Sequence, residues 1–90
     1  MTKVELINEI SRSTGIAANS TSEVLECLMK TIKRTLADNE SVYLRGFGTF
    51  SPKIRAAKTA RNITTGEQIF VAEHSVPAFK PSKEFVELLK

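Results

Sequence analysis

The chain has 90 residues, 41% hydrophobic and 26% charged, with a net charge of +3 from thirteen Lys and Arg against ten Asp and Glu. These values describe one globular domain, too short for two cores and too apolar for a disordered chain. The longest apolar run, residues 69–72, is far below the roughly 18 a membrane span needs, the charged N-terminus has no secretion-signal pattern, and Cys27 stands alone, so neither an intramolecular disulfide nor a multi-cysteine metal site can form.

The sequence predicts a cytosolic protein stabilised by burial. Thr2 and Glu5 form a capping box, with Met1 and Leu6 placed as its hydrophobic staple. A short amphipathic helix follows, with Leu6, Ile7 and Ile10 on its apolar face and Gly15 as the left-handed residue that ends it. A second helix is expected over residues 18–38, because Val24, Leu25, Leu28, Met29, Ile32 and Leu36 recur at helical spacing. Glu26 and Lys30 are spaced to pair across its outer face. Asn39 is the expected terminator, since Asn tolerates the left-handed conformation. Ala17 cannot cap the start, which leaves Ser20 with Glu23, or Asn19.

The period then changes to two. Val42 and Leu44 alternate with Tyr43 and Arg45, and Phe47 and Phe50 flank a turn at Gly46 and Gly48, the pattern of a β-hairpin. Residues 54–71 show no core-forming periodicity, and Asn62-Ile63-Thr64-Thr65-Gly66 at their middle is rich in turn formers. The expectation is a protruding two-stranded arm, with residues 53–61 as its outgoing limb and 67–75 as its return. Val76-Pro77-Ala78-Phe79 then forms a third strand, whose Pro suits an edge or a strand start. A helix from about Ser82 closes the chain, with Phe85, Leu88 and Leu89 at i, i+3 and i+4.

Charge is distributed unevenly over these elements. Residues 1–40 carry five basic and six acidic side chains and residues 67–90 carry three and four, whereas residues 41–66 carry five basic groups and no acid. Those five are Arg45, Lys53, Arg55, Lys58 and Arg61. A solvated loop would mix both signs, so the acid-free window is read as a contact for a polyanion. An arm of about twenty residues leaves about seventy for a core, a size at which one chain seldom buries enough unaided. With no disulfide or metal, and with a broad apolar band on the second helix, a second copy of the chain is the economical remedy.

The element order, together with Gly46-Phe47-Gly48-Thr49-Phe50 and Val76-Pro77-Ala78-Phe79-Lys80, resembles the bacterial histone-like HU/IHF family over the whole chain. Thr2-Lys3 with Glu5-Leu6-Ile7 is similar to that family's opening, and Arg55-Ala56-Ala57, Ala60-Arg61-Asn62 and Thr65-Gly66 to its arm. The resemblance implies an intertwined α+β dimer: two N-terminal helices, a three-stranded antiparallel sheet with a protruding β-arm, and a short C-terminal helix. Residues 1–40 would be the helical dimerisation part, 41–81 the sheet with its DNA-binding arm at about 53–75, and 82–90 the closing helix. The partners implied are double-stranded DNA, bound in the minor groove with little sequence specificity and then bent or compacted in the nucleoid, and a second protomer, identical or a paralogue. The contact set implied is Lys3, Arg45, Lys53, Arg55, Lys58, Arg61, Asn62, Ile63, Thr65, Gly66, Lys80 and Lys83.

Four departures from the family pattern bear on that set. Ile63 replaces the intercalating Pro after Arg-Asn; it can still act as the wedge, but it is β-branched and adds a backbone N–H. His74 and Ser75 stand where Lys or Arg is usual, and Glu73 adds a negative charge, which weakens the phosphate grip. Pro52 suggests a bulge or edge position at the arm's base. Lys58 keeps the charge of the common Arg but not its planar fork.

Phe47, Phe50 and Phe79 are read as core residues, because they alternate beside Gly, and Cys27 as a small hydrophobe. His74 has no companion ligand. Gly46-x-Gly48 lacks the third glycine of a dinucleotide fingerprint, and the chain has neither a P-loop nor a His-Glu-x-x-His zinc motif. With one His and one Cys, catalysis, cofactors, metals and small-molecule substrates are all set aside. The alternative to a DNA binder is a structural dimer whose basic arm contacts another protein or a structured RNA.

Overall fold

The computed structural model describes residues 1–61 and 66–90, which divide by internal contacts into Met1–Arg34 and Thr35–Lys90. In the first unit α1 (Lys3–Thr14) starts where the capping pattern places it: Thr2 is extended, and its Oγ1 accepts from the Glu5 N–H at 3.3 Å. The expected staple contributes little, because Met1 is 86% exposed. Gly15 ends the helix at φ 77°, its N–H donating to the Ser11 carbonyl at 2.9 Å, the single-bond left-handed cap.

Helix α2 (Ala18–Ala37) begins upstream of both proposed caps. Asn19 and Ser20 lie inside its first turn and cannot cap it. Thr21 compensates in part: it is buried, its N–H donates to the Ala17 carbonyl at 2.9 Å, and its hydroxyl donates to the same oxygen at 3.0 Å. Glu26 pairs with Lys3 of α1 in place of the expected Lys30. At the far end Asn39 adopts φ 63°, the Glu40 N–H donates to the Thr35 carbonyl at 3.1 Å and the Asn39 N–H to Leu36 at 3.0 Å. Those two bonds are the Schellman pair, so Asn does here what Gly does at the end of α1.

In the second unit β1 (Val42–Leu44), β2 (Gly48–Arg55) and β5 (His74–Pro81) form an antiparallel sheet in the order β1-β2-β5, while β3 (Lys58–Arg61) and β4 (Gln68–Val71) form a separate two-stranded ribbon. The β1–β2 turn is tight, with the Phe47 N–H donating to the Leu44 carbonyl at 3.0 Å. Helix α3 (Lys83–Leu88) is capped by Ser82, whose Oγ accepts from the Phe85 N–H at 3.1 Å.

Two details of the sheet differ from expectation. The third strand is longer than residues 76–79, and it pairs with β2 along its whole length, from Gly48 opposite Pro81 to Arg55 opposite His74. Lys53 and Arg55 therefore belong to the main sheet, and the arm proper begins beyond residues 56–57 and 72–73, where Ala56, Ala57 and Ala72 offer little cross-strand packing. Strand pairing is interrupted there without a slip: Arg55 faces His74 and Lys58 faces Val71, three residues on along each limb.

Pro52 faces Pro77 with no bulge. Neither has an N–H, so the pair occupies a non-hydrogen-bonded site, and the bare nitrogen of Pro52 points to a side that β1, paired only with residues 48–50, does not reach. The same parity puts Gly48, Phe50, Phe79 and Pro81 on one face. Phe50 and Phe79 lie 4.8 Å apart between centroids, with Phe47 5.2 Å from Phe79 and 5.4 Å from Phe85 of α3. These rings form the aromatic cluster of this half, reached by Phe85 from α3, but Phe47 and Phe79 remain exposed, so one chain only partly encloses the core expected here.

Candidate nucleic-acid interface

The face of the sheet opposite the aromatic cluster has no second layer in this unit. Its residues come in cross-strand rows: Tyr43, Thr49 and Lys80; then Ser51 and Ala78; then Lys53 and Val76; then Arg55 and His74. Successive rows are about 7 Å apart, two residues at about 3.4 Å each. Small side chains fill the middle and cations stand toward both ends, with no carboxylate in any row. Alternation is what sorts them, since the odd-numbered positions of β2 are the ones that turn away from the phenylalanines.

Both ends open into shallow depressions. One, of about 440 Å³, brings Arg45 of the β1–β2 turn, Lys80 and Lys83 together beside Tyr43 and Glu84. The other, of about 510 Å³, lies at the base of the ribbon and is lined by Arg55, Lys58 and His74 with Ala56, Val71 and Val76. His74 Nδ1 lies 2.9 Å from the Ala72 carbonyl, which can only accept, so Nδ1 is the donor. Lys53 occupies the row between the two groups and is exposed.

Of the twelve residues expected at the site, six thus belong to one face or its two ends. Arg61 is the last residue of β3, opposite Gln68. Gly66 is at φ 75°, a conformation that glycine adopts without strain. Asn62, Ile63 and Thr65 lie outside the described residues. Lys3 belongs to the first unit and is tied to Glu26, each side chain about half exposed. An exposed pair of this kind contributes at most about 1 kcal/mol, so it leaves the lysine able to exchange partners.

Two exposed aromatic residues escaped the reading of the sequence. Tyr43 is 71% exposed in the same row as Lys80, and Phe70 is 70% exposed on the return limb of the arm. The signal for Tyr43 was present, an aromatic at the outward position between core-facing Val42 and Leu44. Phe70 was hidden inside the longest apolar run, where it reads as ordinary strand-forming sequence.

The family model described as Bacterial DNA-binding protein matches residues 1–90. DNA-binding protein HU-1 of Halalkalibacterium halodurans is 38% identical over 90 residues, and DNA-binding protein HU of Geobacillus stearothermophilus 34% identical over 90, each alignment covering the whole of both chains. Among solved structures, an Anabaena HU–DNA cocrystal structure superimposes with a TM-score of 0.94 at 30% identity, covering 99% of this chain and 97% of that one. HU from Thermotoga maritima gives 0.71 at 27% identity over the whole of both. These relatives bear the names of DNA-binding proteins and not of enzymes, in keeping with the exclusion of catalysis. With a family model matched from end to end and full-length relatives above 30% identity, the chain belongs to the bacterial DNA-binding protein family.

Proposed function

We propose that two copies of this chain form a dimer that grips duplex DNA between its arms, bends it, and so organises the bacterial nucleoid. The observation that carries this reading is the sheet face whose rows hold Lys80, Lys53 and Arg55 and no carboxylate. Phosphate oxygens along a duplex are spaced at intervals comparable to the rows of the sheet, and each Lys or Arg that meets one releases a condensed counterion. Lys53, Arg55, Lys58 and Arg61 supply the grip; Arg45, Lys80 and Lys83 extend it along the duplex. Ile63 is the wedge and Asn62 its companion in the minor groove, as in architectural proteins of the HU and IHF kind, where an apolar side chain enters between base steps.

Sequence preference is slight on this reading. Direct readout needs bidentate side chains in the major groove, and the arm offers no Asn or Gln series. Any preference follows duplex shape and flexibility. Dimerisation is supported by what one chain leaves uncovered: Ile7 is its only large apolar side chain below a tenth exposed among the described residues, while Val24 is 69% and Leu28 43% exposed on α2. No helix among the described residues is long and apolar enough to cross a membrane.

The test is affinity for arbitrary linear duplexes as a function of salt. Four phosphate contacts from each of two chains give a slope of log affinity against log salt near −7, at about 0.9 per contact. A shallow slope contradicts the reading and favours a basic arm that contacts another protein; tight binding to one operator only contradicts the slight sequence preference.

A further inference from the structure

Helix α2 carries a second acid-free cluster of cations, apart from those of the sheet and its arm. Residues 27–37 hold Lys30, Lys33 and Arg34 and no Asp or Glu; acids return only at Asp38 and Glu40, past the end of the helix. Lys33 and Arg34 follow Lys30 by three and four residues, so the three share one side of the helix. All three are exposed, and none takes part in an ion pair among the described residues. The carboxylate one turn back, Glu26, is held by Lys3 of α1.

Folding does not account for this cluster. Like charges at these spacings repel and weaken a helix. The helix macrodipole favours a cation in the last turn, which covers Arg34, but its effect fades before it reaches Lys30. Dimerisation leaves the cluster open as well. Half-buried Leu25, Met29, Ile32 and Leu36 form the inner stripe of α2, and the exposed Val24 and Leu28 widen it on the flank away from Lys33. A second protomer seated on that apolar band leaves Lys30 and Lys33 in solvent.

We propose that Lys30, Lys33 and Arg34 form a further DNA-binding surface, which holds the phosphates of a second duplex while the arms of the same dimer grip the first, an inference that rests on the proposed function. Composition chooses the occupant. A protein partner is anchored by buried apolar side chains, and none of the exposed large apolar residues of α2 stands among these cations. A phosphate backbone needs only charge. From Lys30 to Arg34 the helix rises about 6 Å, comparable to the step between neighbouring phosphates, so a strand laid along it meets more than one cation and releases a counterion at each. The grip on the first duplex uses Lys53, Arg55, Lys58 and Arg61 of the second unit, whereas this cluster closes the first unit. A dimer that holds two duplexes at once bridges them, and each weak contact gains from the high local concentration of the other.

Bridging is read by capture. A biotinylated duplex on beads and a fluorescent duplex in solution are mixed with full-length protein at low salt, and the fluorescence carried to the beads is measured. Wild type is expected to carry it. The variant combining Lys30→Gln, Lys33→Gln and Arg34→Gln removes charge at exposed positions and keeps good helix formers. It is expected to bind a single duplex with unchanged affinity and salt slope, which also shows that it is folded, and to capture about ten-fold less of the fluorescent duplex. A variant with Lys30→Arg and Lys33→Arg keeps the charge and should capture as wild type does.

Equal capture by wild type and the Gln variant overturns the inference, as does a wild type that captures nothing or an Arg variant that loses capture. So does a Gln variant whose single-duplex slope is shallower by about three contacts per chain, which would place the cluster on the duplex the arms already hold. In each of those cases wild type still binds the bead-bound duplex with its steep salt dependence, and the proposed function stands. A wild type that binds no duplex overturns both.

Discussion

Gly48 shows how little room the aromatic cluster leaves. It is buried, and a Cβ there would lie 2.6 Å from the Lys80 carbonyl oxygen and 2.6 Å from two atoms of the Phe79 ring. A side chain could swing away, but a strand-paired carbonyl cannot, so Gly48→Ala must push β2 and β5 apart. The expected cost is about 1–3 kcal/mol, the usual range for overpacking, read as a lower urea midpoint at unchanged slope. Gly15→Ala is the control. Nothing lies within 4 Å of its added Cβ, so its loss is only the left-handed strain of about 1–2 kcal/mol. At this scale much was legible beforehand. Thr2, Gly15 and Asn39 do what their side chains and their places in the pattern suggest, because capping is a local bargain between a residue and its nearest backbone groups.

Where a partner comes from elsewhere in the chain, the pattern is silent. Glu26 has Lys30 one turn away on its own helix, yet it meets Lys3 of α1, a choice that depends on how two helices pack within the first unit. The start of α2 was misplaced for a similar reason: the buried Thr21, bonded back to Ala17, holds a first turn that has no capping side chain.

Among elements, the sheet and its arm were legible in outline and not in extent. Alternation in residues 42–50 announced the hairpin, and the absence of core periodicity after residue 54 announced the arm. The length of β5 was not announced, since Pro77 and Pro81 look like breakers. They are tolerated because each falls at a non-hydrogen-bonded position of an edge strand. The consequence for the site is that Lys53 and Arg55 sit on the main sheet while Lys58 and Arg61 sit on the ribbon.

The two pairs should answer differently to mutation. Arg55→Ala and Arg61→Ala each remove a charge from both chains of a dimer, so each should make the salt slope shallower by about two contacts. Arg55→Ala should in addition leave the bending of bound DNA largely intact, because it lies on the sheet, far along the limb from the tip. Binding isotherms at graded salt, paired with a bending assay, read both effects.

At the scale of the whole molecule, the decisive feature is how much apolar surface one chain leaves open. On α2 the stripe of Leu25, Met29, Ile32 and Leu36 is half-buried, whereas Val24 and Leu28 on its flank are exposed. Phe47 and Phe79 of the aromatic cluster are 44% and 40% exposed. A chain this small needs those surfaces covered. Sedimentation equilibrium at micromolar concentration should therefore give about 20 kDa, twice the 10.0 kDa of one chain. A stably folded monomer at that concentration would contradict the dimer. The sequence points the same way before any relative is considered, through the small core left beside the arm, the lack of a stabilising disulfide or metal, and the breadth of the apolar band.

The central claim is that the dimer bends DNA, and not merely that it adheres to phosphates. Inserting a side chain between base steps costs a few kcal/mol of unstacking, recovered only when bending brings more duplex against the protein. Ring closure of DNA fragments shorter than about 150 base pairs measures that bending directly, because such fragments resist closure on their own. Wild type should accelerate closure strongly, and Ile63→Ala should bind with nearly the same salt slope while closing rings little faster than free DNA. Equal closure by the two proteins, or binding by wild type without any gain in closure, would contradict the account and leave an arm that clamps the duplex without kinking it.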